Sequence, residues 1–315
     1  MTSSRRLQAL VIVFGLAFGG FARGESPESK GLRYLSRVAS RWDSENHCFS
    51  CHDNAEAAKT LFIASASKEF NDLKLDPLAS TKVWLSKPEG WNSNGGDEPF
   101  SDKRLSRIQF ASALAEAMRL GVLKDRKPLT FAASQLVKDQ GEDGSWALDG
   151  PDSIGSPTTL GRPLATYVAR KVLVESDAKR FAREIKGADR WLGQLKPRTT
   201  LDAAVILLAT PRKSSDPRRK RALDQLRDSQ GDTGGWGPYP DAAAEPFDTA
   251  VVLSALASLR DDSADKLIRR GRDYLIKMQN EEGSWPETTR PAGAESHAQR
   301  VSTAAWATRA LLSTR

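Results

Sequence analysis

The stretch Gln230-Gly-Asp-Thr-Gly-Gly-Trp236 decides the fold, because the chain repeats its pattern twice more. The other copies are Gln140-Gly-Glu-Asp-Gly-Ser-Trp146 and Gln279-Asn-Glu-Glu-Gly-Ser-Trp285. In each copy a helical segment ends in Gln, a turn with Gly and acidic residues follows, and Trp ends the turn. Glycine supplies the positive φ that ends a helix, the Gln can bond exposed backbone there, and the Trp packs the turn against its neighbour. Three copies in one order predict a helical repeat.

The segments around these turns predict two layers of helices. A helix rich in small residues follows each turn, and the helix before it carries more Arg, Lys and Glu. The six small-residue segments begin at Ala55, Ala111, Leu164, Asp202, Asp248 and Ser302. Helices rich in alanine pack closely and suit an inner wall, whereas charged helices suit an outer wall. The sequence therefore predicts an all-α fold, an αα-toroid of about six helix pairs over residues 25–315. An open superhelix is the alternative, because the sequence does not show closure.

Whole-chain composition limits the classes of function. The chain has 315 residues, of which 39% are hydrophobic, enough for one large core or two small ones. Its formal net charge is +7, but positive and negative residues are well mixed. No basic tract with interleaved aromatic residues occurs, so nucleic acid is not an expected partner.

The first 24 residues have the pattern of a signal peptide. Arg5 and Arg6 give a positive start, residues 7–21 are apolar, and Ala22-Arg-Gly24 places small residues at a cleavage site. We expect cleavage before Glu25 and an exported protein, periplasmic or secreted, with an uncleaved anchor as the alternative. No later segment is apolar enough to span a bilayer, so no membrane span is expected after cleavage.

One motif in the first repeat suggests chemistry. Cys48-Phe-Ser-Cys51-His52 stands where the other repeats have their Gly-Trp turn, and it has the C-x-x-C-H spacing of covalent haem attachment. Cys48 and Cys51 would form thioethers to haem c, and His52 would bind the iron as the proximal ligand. These are the only two cysteines of the chain, and bacterial haem attachment requires the export that the signal peptide predicts.

Other interpretations of this motif remain open. Cys48 and Cys51 could form a structural disulfide, or a redox-active pair. Zinc is not expected, because the two cysteines and two nearby histidines within six residues can hardly wrap a tetrahedron. His297 precedes the last inner helix as His52 precedes the first. If the ring closes, both lie on one rim, and His297 becomes a candidate second axial ligand, with a solvated loop histidine as the alternative.

The repeated turns resemble the QW motif of the squalene-hopene cyclase and oxidosqualene cyclase superfamily. The resemblance implies an α/α barrel with a central cavity for an apolar or isoprenoid ligand. Cyclases of this family protonate the substrate with an Asp-x-Asp-Asp-Thr-Ala motif, and the matching stretch here is Glu245-Pro-Phe-Asp-Thr-Ala250. Phe247 stands at the position of the acid, and a phenyl ring cannot donate a proton. Asp248 is the remaining catalytic candidate, with a helix-capping role as the alternative.

The chain also resembles the protein prenyltransferases, which are single toroids of this size. Their zinc is held by an Asp-x-Cys pair and a His, and no Asp-x-Cys occurs here.

Three functions follow from these observations. The first is an exported toroid with haem c in its first repeat, acting in electron transfer with a redox partner protein or in haem-dependent redox chemistry. The second is a non-catalytic lipid- or protein-binding toroid with a Cys48–Cys51 disulfide. The third is a terpenoid-modifying enzyme.

Overall fold

A computed structural model describes residues 25–93, 103–148, 153–211, 215–259, 262–288, 290 and 296–315. The predicted signal peptide, residues 1–24, lies outside these ranges. The outer helices are α1 (Pro27–Asn46), α3 (Ala79–Leu85), α5 (Lys127–Lys138), α7 (Ala182–Gln194), α9 (Pro217–Asp228) and α11 (Asp265–Met278). The inner helices are α2 (Ala58–Ser65), α4 (Lys103–Arg119), α6 (Gly161–Asp177), α8 (Thr200–Ala209), α10 (Pro246–Leu259) and α12 (His297–Ser313).

The inner helices form a closed ring. Each packs against the inner helix before and after it, and α12 packs against α1, α2 and the π-helical turn His52–Ala57 that leads into α2. The hydroxyl of Thr60 donates across this seam to the Ala305 carbonyl at 3.3 Å. The predicted toroid of six helix pairs is therefore confirmed, and the open superhelix is wrong.

Each Gln-Gly-Trp turn is a joint between two outer helices. The three tryptophans are buried, and each indole N–H donates to a carbonyl ten positions back in its own outer helix. The acceptors are the carbonyls of Leu136, Leu226 and Leu275, at 2.7–2.8 Å. Each Gln side-chain amide donates to two backbone carbonyls. One is the carbonyl of the Gly in its own turn, and the other belongs to the outer helix against which that turn packs. Those second acceptors are Glu184, Leu267 and Pro27. The sequence predicted the turn but not this bond between helices, of which the last closes the outer layer.

Glycine is required in these turns for two reasons. Gly144, Gly234 and Gly283 have φ of 92°, 92° and 98°, a region that side chains disfavour. A Cβ on Gly234 would also lie 2.4 Å from the carbonyl oxygen of Arg270 on α11, and the other two glycines face a backbone carbonyl equally closely. The turns therefore approach the next outer helix so closely that only glycine fits.

Small residues let the inner helices pack closely. Ala55, Ala58, Ala111, Ala165, Ala204, Ala250 and Ala304 are fully buried, as predicted for an inner wall. Within the described ranges, no helix is both long and apolar enough to cross a membrane.

Candidate functional sites

Ring closure brings the first and last helix pairs into contact at a seam that includes both predicted histidines. In the π-helical turn, backbone hydrogen bonds span five residues instead of the four of an α-helix. This geometry is often found at functional sites. Asp53, on this turn, is fully buried and its Oδ1 lies 2.9 Å from Nε2 of His297. The His297 ring also stacks on Trp42, with centroids 4.9 Å apart. The hydrogen bond to Asp53 raises the pKa of His297, so this pair favours the protonated ring.

His52 faces the last inner helix. Its Nδ1 lies 2.8 Å from the hydroxyl oxygen of Ser302, five residues beyond His297. Desolvation by burial lowers the pKa of His52, so the imidazole is neutral at pH 7. The bond to Ser302 uses Nδ1, which leaves Nε2 as the nitrogen that a metal would take. The predicted placement of His52 and His297 on one rim agrees with the structure. The Nε2 of His297 is bonded to Asp53, so its role as a second axial ligand stays a prediction.

The Cys-x-x-Cys turn is held by local hydrogen bonds. The Ser50 hydroxyl accepts from the backbone N–H groups of His52 and Asp53, at 3.1 and 3.2 Å. Phe49 stacks on Trp84 of α3, with centroids 4.5 Å apart and planes within 7°. Cys48 and Cys51 are both half-buried, and a disulfide between them stays a prediction. Within the described ranges, no group of three or more His, Cys, Asp and Glu side chains has a metal-binding arrangement.

The ring interior, on both sides of the seam, also carries polar and charged groups. The outer helices cover one side of each inner helix and its inner neighbours cover two more, so partly exposed mid-helix side chains face the lumen. Such side chains include Lys59, Tyr167 and Ser254. The resemblance implied an often apolar cavity, and these polar side chains differ from that expectation.

Two buried carboxylates in this region are paired with arginines. Glu56 accepts from Nη2 of Arg309 at 2.6 Å, and Nη1 of Arg309 donates to the Glu56 carbonyl at 3.0 Å. Although burial acts to raise it, Arg309 and Lys59 hold the pKa of Glu56 below its usual value. Glu116 is likewise paired with Arg119 on α4.

The segment that matches the cyclase acid motif forms a buried ion cluster. Phe247 is fully buried, and its ring meets Trp306 edge-on at 6.0 Å. Both Asp248 oxygens accept from Nη2 of Arg290, at 2.8 and 2.9 Å, and Glu245 accepts from Nη1 at 2.7 Å. Burial raises the pKa of Asp248 to about 7, against the lowering effect of Arg290. Since the guanidinium occupies both oxygens, the geometry favours carboxylate over a proton-donating acid.

A cleft of about 570 Å³ opens at the rim, where the third, fourth and fifth helix pairs meet. Its apolar lining comes from Ile154, Leu160, Leu195, Leu201 and the aromatic rings of Trp191 and Tyr239. Arg162 lies over the Trp191 ring, 5.4 Å from its centroid. Lys196 and Arg198 are exposed on the lining, whereas Asp202 directs a carboxylate oxygen to the backbone N–H groups of Thr199 and Arg198. The exposed charge of the cleft is therefore positive.

Several of these residues escaped the sequence analysis. Asp53, Glu56, Lys59 and Arg309 were missed, although ionisable residues in otherwise small-residue helices were a visible signal. Arg290 was missed because it lies in a loop, 42 positions from Asp248.

Comparison with known proteins agrees with the observed ring. Residues 196–315 match the family described as the squalene-hopene cyclase C-terminal domain. A protein from Actinoplanes of known structure is similar over 91% of this chain and 99% of its own, at 15% identity and a TM-score of 0.57. The type II terpene cyclase MstE from Scytonema is similar over 91% and 98%, at 13% identity and a TM-score of 0.53. A variant of MstE in complex with its substrate, geranylgeranyl dihydroxybenzoate, gives the same values. At these identities the likeness shows a shared fold. No curated protein matches the sequence.

Proposed function

We propose that this toroid binds an amphipathic isoprenoid with an acidic head group, and that it does not start cyclisation by protonation. The observation that carries the binding proposal is the rim cleft, where Lys196 and Arg198 stand over an apolar and aromatic lining. Its volume lies within the roughly 300–1,000 Å³ usual for small-molecule sites. Aliphatic side chains suit an isoprenoid tail, and Trp191 and Tyr239 suit an aromatic or carboxylate-bearing head beside the two cations.

A neighbour of the same fold supports this ligand class. The MstE variant holds geranylgeranyl dihydroxybenzoate, which joins a long isoprenoid chain to an aromatic acid. The buried ion cluster supports the absence of proton-initiated cyclisation. Phe247 has no proton to give, and Arg290 occupies both oxygens of Asp248.

Equilibrium binding of geranylgeranoic acid tests the proposal, with geranylgeraniol as the ligand that lacks the acid. We expect the acid to bind more tightly than the alcohol, and the variant Arg198→Glu to lose about tenfold in affinity for the acid, about 1.4 kcal/mol. Lys266→Glu makes the same charge change on an exposed outer helix and should leave the affinity unchanged. Equal affinities for acid and alcohol would contradict the proposal. A cyclised product from either ligand, lost in Asp248→Asn, would instead establish a terpenoid-modifying enzyme.

The second candidate function is haem c attachment, favoured by the half-buried pair Cys48 and Cys51 directly before a neutral His52, whose Nδ1 is bonded to Ser302. Bound haem c would supply one-electron transfer to a redox partner. Protein exported from a cell with intact haem-attachment machinery should then show a Soret band that survives acid-acetone extraction. The variant Cys48→Ser,Cys51→Ser should lose that band while keeping its helical circular dichroism. Colourless wild-type protein from such a cell removes this candidate.

Export is part of this proposal. We propose that residues 1–24 direct the chain out of the cytoplasm and are removed before Glu25. Mass spectrometry of the intact protein from cell fractions tests this point. We expect a mature chain that begins at Glu25 in the periplasm or medium, and full-length chain confined to the cytoplasm contradicts it.

A further inference from the structure

Lys59 occupies an unusual position in the wall of the ring. It lies on α2, one turn beyond Glu56, and it is half-buried on a helix that faces the lumen. Its Nζ donates to the hydroxyl oxygen of Ser112 on the neighbouring inner helix, at 2.7 Å. The bond holds the amine against the lumen wall.

The carboxylates nearest to this amine already have other partners. Arg309 binds Glu56 and Arg119 binds Glu116, and no carboxylate in the described parts of the chain lies within ion-pair distance of the Lys59 Nζ. A half-buried ammonium with only a neutral hydroxyl partner loses part of its hydration without gaining a counter-ion, so such a site favours the neutral amine.

The pKa of this amine is lowered by its surroundings. Burial has the largest effect, and together with the positive charges of Arg309 and Lys171 it lowers the pKa of Lys59 to about 8, although Glu56 and Glu116 act to raise it. Desolvation and neighbouring cations are the two means by which proteins turn a lysine into a nucleophile.

We propose that Lys59 forms a reversible imine with an aldehyde or ketone that enters the lumen. The neutral Nζ attacks the carbonyl carbon, and a C–N bond forms as the carbonyl oxygen takes up a proton. The resulting carbinolamine loses that oxygen as water, and the nitrogen loses its two protons over the two steps, which leaves a C=N bond. The step consumes one carbonyl compound and releases one water, and it needs no oxidant or reductant. Partly buried Ile63, one turn beyond Lys59 on α2, provides apolar surface on the same side of the helix as the amine.

Reductive trapping tests this proposal. The purified full chain is incubated near pH 7.5 with citral, an isoprenoid aldehyde, and cyanoborohydride, and the adducts are located by peptide mass spectrometry. A lysine side chain free in water has a reference pKa of about 10.4, so a far smaller fraction of such an amine is neutral at this pH. We expect Lys59 to be labelled at least about tenfold faster than an exposed lysine such as Lys138.

Two matched variants give the controls. Lys59→Arg keeps the positive charge but removes the nucleophile, and it should lose the selective adduct. Lys171→Arg keeps Lys59 and should retain it. Labelling of Lys59 no faster than that of the surface lysines overturns the proposal, as does a labelling pattern unchanged in Lys59→Arg. Arg198→Glu, in the rim cleft, should leave Lys59 labelling intact, so failure of the cleft proposal is distinguishable from failure of this one.

Discussion

The Gln-Gly-Trp joints and the seam of the ring hold neighbouring helix pairs together by different means. At the joint of the fifth pair, Trp236 is buried and neutral hydrogen bonds from Gln230 reach the next outer helix. At the seam, ionisable groups meet instead, in the contacts of Asp53 with His297 and of Glu56 with Arg309. The joint hydrogen bonds of Gln and Trp involve no titratable group, whereas the seam contacts do, close to the only two cysteines of the sequence. The difference identifies the seam as the contact between helix pairs whose stability should depend on pH.

Removal of a joint tryptophan should give the largest effect. Trp236→Ala leaves a cavity in a closely packed turn and removes the hydrogen bond to the Leu226 carbonyl, so we expect a loss of about 4 kcal/mol in the free energy of unfolding. Urea denaturation followed by circular dichroism measures it. Trp191→Ala, at a half-buried tryptophan outside these turns, should cost less, and equal losses would contradict the role of the joint.

Removal of Arg309 from its ion pair with Glu56 at the seam should give the second-largest effect on stability. Arg309→Met leaves Glu56 buried without its counter-ion, and we expect a loss of about 3 kcal/mol. The double variant Arg309→Met,Glu56→Gln removes the stranded charge and should recover part of that loss. If the single variant unfolds at the wild-type urea concentration, the ion pair does not hold the seam.

A smaller loss is expected at a joint glutamine. Gln230→Leu removes two hydrogen bonds to buried backbone carbonyls, at 2.8 and 3.0 Å, and should cost about 1–2 kcal/mol. Gln279→Leu makes the same change where the outer layer closes. Gln279 bonds the Pro27 carbonyl at the start of α1. Hydrogen exchange in α1 should therefore accelerate in Gln279→Leu and not in Gln230→Leu. Equal exchange in both variants would show that the closing joint is not special.

The smallest effect is the pH dependence of the seam. Asp53 raises the pKa of His297 above its unfolded value, so the stabilisation is complete below about pH 6.5 and is lost as pH rises through the folded pKa. His52 acts oppositely, because its lowered pKa costs stability as pH falls below about 6.5. The melting temperature of wild type minus that of His297→Gln should therefore be larger at pH 5.5 than at pH 8. A difference that does not change with pH would exclude the Asp53–His297 pair as its source.

The repeat was predictable because its signals are local. Each joint Trp bonds a carbonyl ten positions away, and each Gly has its positive φ within its own turn, so the same short pattern recurs wherever the same joint forms. The rim position of His52 and His297 was also predictable, but only on the condition that the ring closes. The partners of Asp248 and Glu56 were not predictable, because no local rule links Asp248 to a loop arginine or Glu56 to Arg309, 253 positions away.

The sequence by itself determined the helical repeat, the two layers and the place where the Gly-Trp turn gives way to Cys-x-x-Cys-His. Only the tertiary structure decided which charges meet, that Phe247 is buried beside a carboxylate held by Arg290, and that the Lys59 amine donates to a serine rather than to a carboxylate. The physical reason is the separation along the chain over which each kind of interaction acts. Backbone geometry and capping act within one or two turns, whereas burial and Coulomb interactions depend on which distant segments ring closure brings together.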